Sequence, residues 1–261
     1  MEPRTKSRYK ARSLTTTGDP QAPRHSNALI AALPPDEFAW VTGRLMPETL
    51  TAGQVLQTPD RPLEVVYFLG GGVCSMGVAV ADGSVVEVTA IGCEGMVGIE
   101  AVLGGREPVA TVAVHVGTRN AYRMPVAVLL DALKVNPACR DLLMRYAQAM
   151  FGSIVHAAAC NTLHTADQRL ARALLVMHDR LNSDTFPFTQ DMLAVMLGVR
   201  RPTVTLAAGA LQRDGIIHYQ HGRIHILNRE GLEAAACECY QEVANTLRRL
   251  IPETFLRARS G

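Results

Sequence analysis

Residues 189–217 read TQDMLAVMLGVRRPTVTLAAGALQRDGII, and their spacing predicts two short helices crossing steeply over a small shared core. Leu193, Leu197, Val199, Val204 and Ala207 supply the inner faces. Ala194 falls where the helices come closest, so a larger side chain there forces them apart. Gly198 sits at the bend, where the backbone needs a positive φ that glycine adopts at little cost. Pro202 suits the first turn of the second helix, because its missing N–H has no intrahelical partner there. Thr189 is expected to cap the first helix, and Asp191 to complement its dipole. Arg200, Arg201, Thr203 and Thr205 are left facing outward where the second helix begins. Those residue types fit a DNA major groove: arginine bonds guanine O6 and N7 together, and threonine bonds a base edge or touches a thymine methyl.

The next residues extend the unit. IIHYQHGRIHIL holds two β-rich runs, 216–219 and 223–227, joined at His221-Gly222 as a hairpin, which predicts a winged helix-turn-helix. The wing carries His221 and Arg223 toward the phosphate backbone.

A chain of 261 residues, 48% of them hydrophobic, has enough apolar material for two cores. Its net charge of +2 does not argue for a polyanionic partner, so local charge decides. Between residues 190 and 222, Arg200, Arg201, Arg213 and two histidines face only Asp191 and Asp214, a modest basic excess. The cysteines at 74, 93, 139, 160, 237 and 239 form no C-x-x-C pair and no disulfide framework, as expected of a reduced cytoplasmic chain. No apolar run is long enough to span a bilayer, and residues 28–33 are too short for a signal-peptide core.

Residues 1–26 are basic and poor in large apolar groups, which predicts a disordered tail. Residues 27–45 read as one or two short helices, with Pro34-Pro35 opening the second. From 50 to 123 the texture turns β-branched and glycine-punctuated, with Asp82-Gly83 as a hairpin turn. Short strands at nearly regular spacing predict an antiparallel barrel or jelly roll over 27–135. Asn136 is expected to cap a helix that Pro137 opens and that runs to about 163. Along it Leu143, Ala147, Met150, Ile154, Ala157 and Asn161 recur at steps of four and three, a heptad seam expected to pair with its copy in a parallel homodimer. A second stripe, Leu142, Tyr146 and Val155, is expected to lie on the barrel. The other reading is a helix buried within one chain. A break near His164 is the expected hinge, and Thr165 with Gln168 forms a capping box that starts a new helix over 166–181. Residues 164–261 then form the DNA-binding part, with a last amphipathic helix over 231–250. The fold class is α+β.

A barrel, a long dimer helix and a winged helix-turn-helix in that order resemble the Crp/Fnr family of bacterial transcription regulators. The resemblance covers residues 28–240, and its most specific pieces are PLEVVYFL at 62–69, GCEGMVG at 92–98, LHTADQRLAR at 163–172 and MLGVRRPTV at 196–204. It implies a homodimeric regulator of double-stranded DNA that recognises a near-palindromic operator, with RNA polymerase as a further partner. By motif position Arg201 is the first base reader, with Arg200 and Thr203 beside it, while Thr189 and Gln190 hold phosphates. Family members with the best-known operator have a glutamate just after that arginine and a second arginine one turn on. This chain has Pro202 and Leu206, so a different operator is expected.

The sensor half departs further. Cyclic-nucleotide binders of the family place an acid directly after the glycine of their phosphate cassette, and an Arg-Ser pair farther on. Here Gly98 is followed by Ile99, Glu100 stands one place late, and the pair reads Pro108-Val109, leaving Arg106 as the nearest arginine. A buried phosphate needs a cation. An empty or differently filled barrel is therefore expected ahead of cyclic-nucleotide binding. Iron–sulfur sensing through N-terminal cysteines is disfavoured, since residues 1–73 contain none.

No metal site is expected. Cys237 and Cys239, two apart on one helix, point to different sides, and Cys160 with His164 reads as packing plus a polar hinge residue. A metal-dependent barrel enzyme needs clustered histidines, and between 50 and 123 there is only His115. A sensor or partner-binding subunit that no longer binds DNA is the remaining alternative, which the outward arginines oppose.

Overall fold

The computed structural model describes residues 25–79 and 85–252. The expected basic tail, save its last two residues, and the Asp82-Gly83 turn lie outside them. In chain order the elements are α1 (Ala28–Ala31), α2 (Pro35–Thr42), β1 (Met46–Leu50), β2 (Val55–Gln57), β3 (Val65–Leu69), β4 (Val73–Ala79), β5 (Val85–Ile91), β6 (Met96–Val97), β7 (Thr111–Val116) and β8 (Thr118–Pro125). Then follow α3 (Val126–Val135), α4 (Pro137–Leu163), α5 (Ala166–Leu181), β9 (Thr185–Pro187), α6 (Gln190–Leu197), α7 (Arg201–Arg213), β10 (Ile217–Gln220), β11 (Arg223–Ile226), α8 (Arg229–Ala235) and α9 (Cys239–Leu250). None of the described helices is long and apolar enough to cross a membrane.

The first eight strands form two antiparallel sheets, ordered β1-β8-β3-β6 and β2-β7-β4-β5. First strand pairs with eighth, second with seventh, third with sixth and fourth with fifth, as in one long hairpin. Rolling that hairpin adds the β3–β8 and β4–β7 ladders and gives a jelly roll. Phe68, Leu69, Met96 and Met124 fill its interior, each at most 1% exposed. The architecture is the α+β arrangement expected from the sequence.

Helix α4 closes the jelly roll and leads away from it. Its N-terminus is capped differently from the expected way: the Asn136 amide donates to the Ala132 carbonyl, while the Glu37 carboxylate of α2 accepts from the Ala138 and Cys139 N–H groups. A carboxylate there also complements the helix dipole. Leu142 and Tyr146 pack into the barrel core, as their stripe suggests. Val155 does not, being exposed.

The expected dimer seam is not free. Leu143, Ala147, Met150 and Ala157 are buried within the chain, Ile154 is half-buried, and only Asn161 is exposed. Their cover includes α9, which returns antiparallel along α4. Cys239 lies by the end of α4, Thr246 faces Gly152, and the Leu250 carbonyl accepts from Arg145. Leu247 and Ile251 join the core that holds Met150 and Ile154. One position on, a second stripe faces solvent: Met144, Gln148, Phe151, Val155, Ala158 and Thr162, again at steps of four and three.

The last part of the chain docks on the barrel. Val73 and Ala90 belong to the same apolar cluster as α5 and α6, the Phe188 ring meets His115 at 5.0 Å in a tilted contact, and a side chain at Gly198 would touch Val86. Arg180 of α5 binds Glu94 at 2.7 Å, and its stem lies so close to Gly92 that a Cβ there would overlap it. The 92–98 segment is thereby tied to the helix that leads into residues 185–226.

Glu87 is buried at this junction, bonded to Ser75 Oγ at 2.5 Å and 3.7 Å from His115. Burial pushes its pKa up to about 7, against the Ser75 bond and the charges of Arg180 and Arg172. Burial likewise disfavours the charged form of His115. A carboxyl whose folded pKa lies above its unfolded value stabilises the fold fully below the unfolded value. That contribution is lost as pH rises through the folded value, here on the order of 3 kcal/mol. Glu87→Gln is therefore expected to melt higher than the parent at pH 8 and alike at pH 4.5. Melting curves that keep their separation across that range contradict this.

Candidate nucleic-acid interface

Thr189 caps α6, its hydroxyl accepting from the Met192 N–H at 3.2 Å. Gly198 closes the helix at φ +59°, the left-handed turn that glycine takes freely. Arg200 is the extended residue before α7, and Pro202 stands in that helix's first turn. The inner faces meet through Leu193, Leu197, Val204 and Ala207, each at most 2% exposed. Arg169 of α5 fastens the bend by donating to the Leu197 carbonyl.

The wing is three-stranded, ordered β10-β11-β9. Its hairpin turns at His221 (φ +51°) and Gly222 (φ +70°), both left-handed, as a two-residue type I′ turn requires. β9 had no reading in the sequence. Its three residues, Thr-Phe-Pro, are too few to show alternation, and the ladder to β11 makes them a strand.

Arg200, Arg201, Thr205, His221 and Arg223 are exposed, as the sequence suggests. Thr189, Gln190, Arg201 and His221, with Asp191, Tyr219, Gln220 and Gly222, line one open groove of ≈ 500 Å³ between wing and helix pair. Thr203 is half-buried, next to the buried Val204. The Thr205 hydroxyl donates to the Arg201 carbonyl, leaving its methyl and lone pairs for a partner. Leu206 was read from the sequence only as a departure from the family's pattern. It is 74% exposed and shares the outer surface with Arg201, Pro202 and Thr205. The signal for it was its phase, since Val204, Ala207, Ala208 and Leu211 take the inner positions.

Arg201 is tethered without being locked. Its Nε donates to Gln190 Oε1 at 3.0 Å and lies 3.8 Å from Asp191, with both side chains of that pair largely exposed. Exposed pairs of this kind contribute ~0–1 kcal/mol, less than the ~1–3 kcal/mol of a bidentate arginine–guanine contact. DNA can outcompete the tether.

Residues 168–235 match the family model of the Crp-like helix-turn-helix domain. The match spans α5 to α8, which hold the helix-turn-helix and its wing. Solved structures share its fold. A Crp/Fnr-family transcriptional regulator from Eubacterium rectale superposes with a TM-score of 0.60 at 15% identity, covering 78% of this chain and 94% of its own. FixK2 from Bradyrhizobium japonicum gives 0.60 at 20% identity, covering 74% and 98%. The c-di-GMP-responsive global regulator CLP of Xanthomonas campestris gives 0.60 at 12%, covering 73% and 98%. Compared by sequence with curated proteins, the chain has no match.

The barrel residues around Gly98 do not fit a cyclic nucleotide. Gly98 takes φ +91° and packs on Val66, Ile99 is buried at 5% exposure, and residues 99–101 wind into a 3₁₀ turn. The Glu100 carboxylate is buried against the Gln57 amide at 2.8 Å, its second oxygen without a hydrogen-bond partner among the described residues. Arg106 is exposed and donates to the Leu63 carbonyl. A phosphate there would meet a carboxylate with no bidentate cation to offset it.

Cys237 and Cys239 require a correction. The expected continuous helix over 231–250 breaks at Ala236, which is extended (ψ 154°), so Cys237 lies between α8 and α9 and Cys239 opens α9. The helical argument that sent their side chains apart does not apply. With Cys160 and His164 they form one cluster, whose four donor atoms lie within 4.8 Å of one another.

Proposed function

We propose that this chain is a transcription regulator of the Crp/Fnr type that binds a near-palindromic duplex as a homodimer, laying the start of α7 in the major groove of each half-site. Arg201 and Arg200 are the base readers, and Leu206, Pro202 and the Thr205 methyl form an apolar patch suited to thymine methyls. Thr189, Gln190, His221 and Arg223 hold the phosphates on either side. The observation that carries the reading is the exposed ridge of α7 flanked by the wing, with an arginine that only weak exposed contacts restrain.

Functionally, residues 27–135 act as the sensor, 136–163 as the dimer helix and 164–261 as the DNA-binding part. The dimer contact is the outward stripe of α4, Met144, Phe151 and Val155 with the small Ala158, rather than the face that α9 covers. Once on DNA, the regulator works with RNA polymerase. Changes in the barrel reach the DNA part through the Arg180–Glu94 pair and the Phe188–His115 contact.

Selection of bound duplexes from a random pool tests this. The expected product has two inverted half-sites with centres about 10 base pairs, roughly 34 Å, apart. Enrichment of a single asymmetric site, or of none, contradicts it.

A further inference from the structure

We propose that Cys160, His164, Cys237 and Cys239 form a tetrahedral site for one zinc-class divalent ion, clasping the end of α4 to the start of α9. Cys160 and His164 stand one turn apart at the end of α4, and Cys237 and Cys239 come from the break that precedes α9. All three thiols are at most 5% exposed and pack together.

The spacing suits a single ion. Sulfur ligands ~2.3 Å from a tetrahedral centre stand about 3.8 Å from one another. Cys160 Sγ and Cys237 Sγ are 3.5 Å apart, and Cys239 Sγ is 3.7 Å from His164 Nδ1. Thiolate and imidazole donors in this number select zinc over magnesium or calcium, which prefer oxygen. An iron–sulfur cluster needs its ligands spread around a larger body.

Two features around the four donors point the same way. The imidazole offers Nδ1 to the thiols while Nε2 meets Glu238 Oε1 at 3.2 Å. A carboxylate there holds the proton on Nε2 and leaves the Nδ1 lone pair free, the usual support for a metal-bound histidine. Three thiolates on a divalent ion carry one net negative charge. Arg172 and Arg169 lie near enough for their charges to act on this cluster, and each has a buried Nε without a hydrogen-bond partner among the described residues. Arg169 also holds the Leu197 carbonyl at the helix-turn-helix bend, so the clasp and the DNA module share a side chain.

The test uses the full chain, reduced, stripped of metal and titrated with cobalt(II), which reports its own geometry by absorption. The expected result is thiolate-to-cobalt charge transfer with intense visible bands of a four-coordinate ion, saturating near one equivalent per chain and bleached by zinc. Cys237→Ser and Cys239→Ser should each weaken these bands while the far-ultraviolet dichroism stays unchanged, and Cys74→Ser should leave them intact. Weak six-coordinate bands in the parent chain overturn the proposal. So does a full spectrum retained by the Cys237→Ser/Cys239→Ser double variant, or a Cys160–Cys237 disulfide whose reduction still gives no cobalt uptake. None of these outcomes bears on DNA reading, which is measured separately.

Discussion

Phe151→Glu is expected to turn the regulator into a monomer and to cut its affinity for a two-half-site duplex by about 10²- to 10⁴-fold. The first effect follows from position. Phe151 is 68% exposed in the single chain, midway along a stripe that includes Met144 at 46% and Val155 at 51%. Large apolar groups aligned at heptad spacing over a helix of 27 residues, about 40 Å long, match a copy of the same helix. A carboxylate at the centre of that contact has no counter-charge, and its own symmetry mate faces it. The second effect follows from linkage, because two tethered DNA modules gain effective concentration that a monomer lacks.

Ile154→Glu separates this account from the seam expected from sequence. Ile154 packs inside the chain against the core that includes Ile251 and Leu247, so its replacement should lower the melting temperature. Light scattering on both variants, with melting curves, reads the difference. A Phe151→Glu chain that remains dimeric removes the outward stripe from the account. A normally folded Ile154→Glu monomer restores the original seam.

The displacement of that seam shows which parts of the fold were legible. Period-two strands, the Gly198 bend, the Thr165 cap and the wing are local patterns, and local backbone chemistry determines them. The face of α4 that a partner can reach is not local. Its apolar residues occupy two adjacent stripes, and residues 239–250, some ninety positions on, cover one of them. A shift of one residue turns a helix face by about 100°, enough to exchange covered and open surfaces. The cysteine cluster was illegible for the same reason. Its four ligands come from two segments that only the return of α9 brings together, and the break at Ala236 left no proline or glycine to announce it. In the helix-turn-helix the sequence found the outward arginines, whereas Thr203 is half-buried beside Val204.

The central claim is that the start of α7 reads bases, and Arg201→Ala probes it most directly. The guanidinium sits on an exposed ridge, held among the described residues by Gln190 at 3.0 Å and Asp191 at 3.8 Å. Removing it sacrifices little of the fold, so lost binding reports on DNA rather than on stability. The loss is expected at about 1–3 kcal/mol per half-site, from a bidentate contact with guanine O6 and N7. A phosphate contact of similar strength would weaken binding to every duplex alike and lessen its salt dependence. The measurement is the affinity of parent and Arg201→Ala chains for a selected duplex and for its single-base-pair variants, at fixed salt. The account predicts that the parent discriminates sharply at one base pair in each half-site and that Arg201→Ala loses preference at those two positions alone. A uniform loss across all duplexes, or an unchanged preference profile, contradicts it.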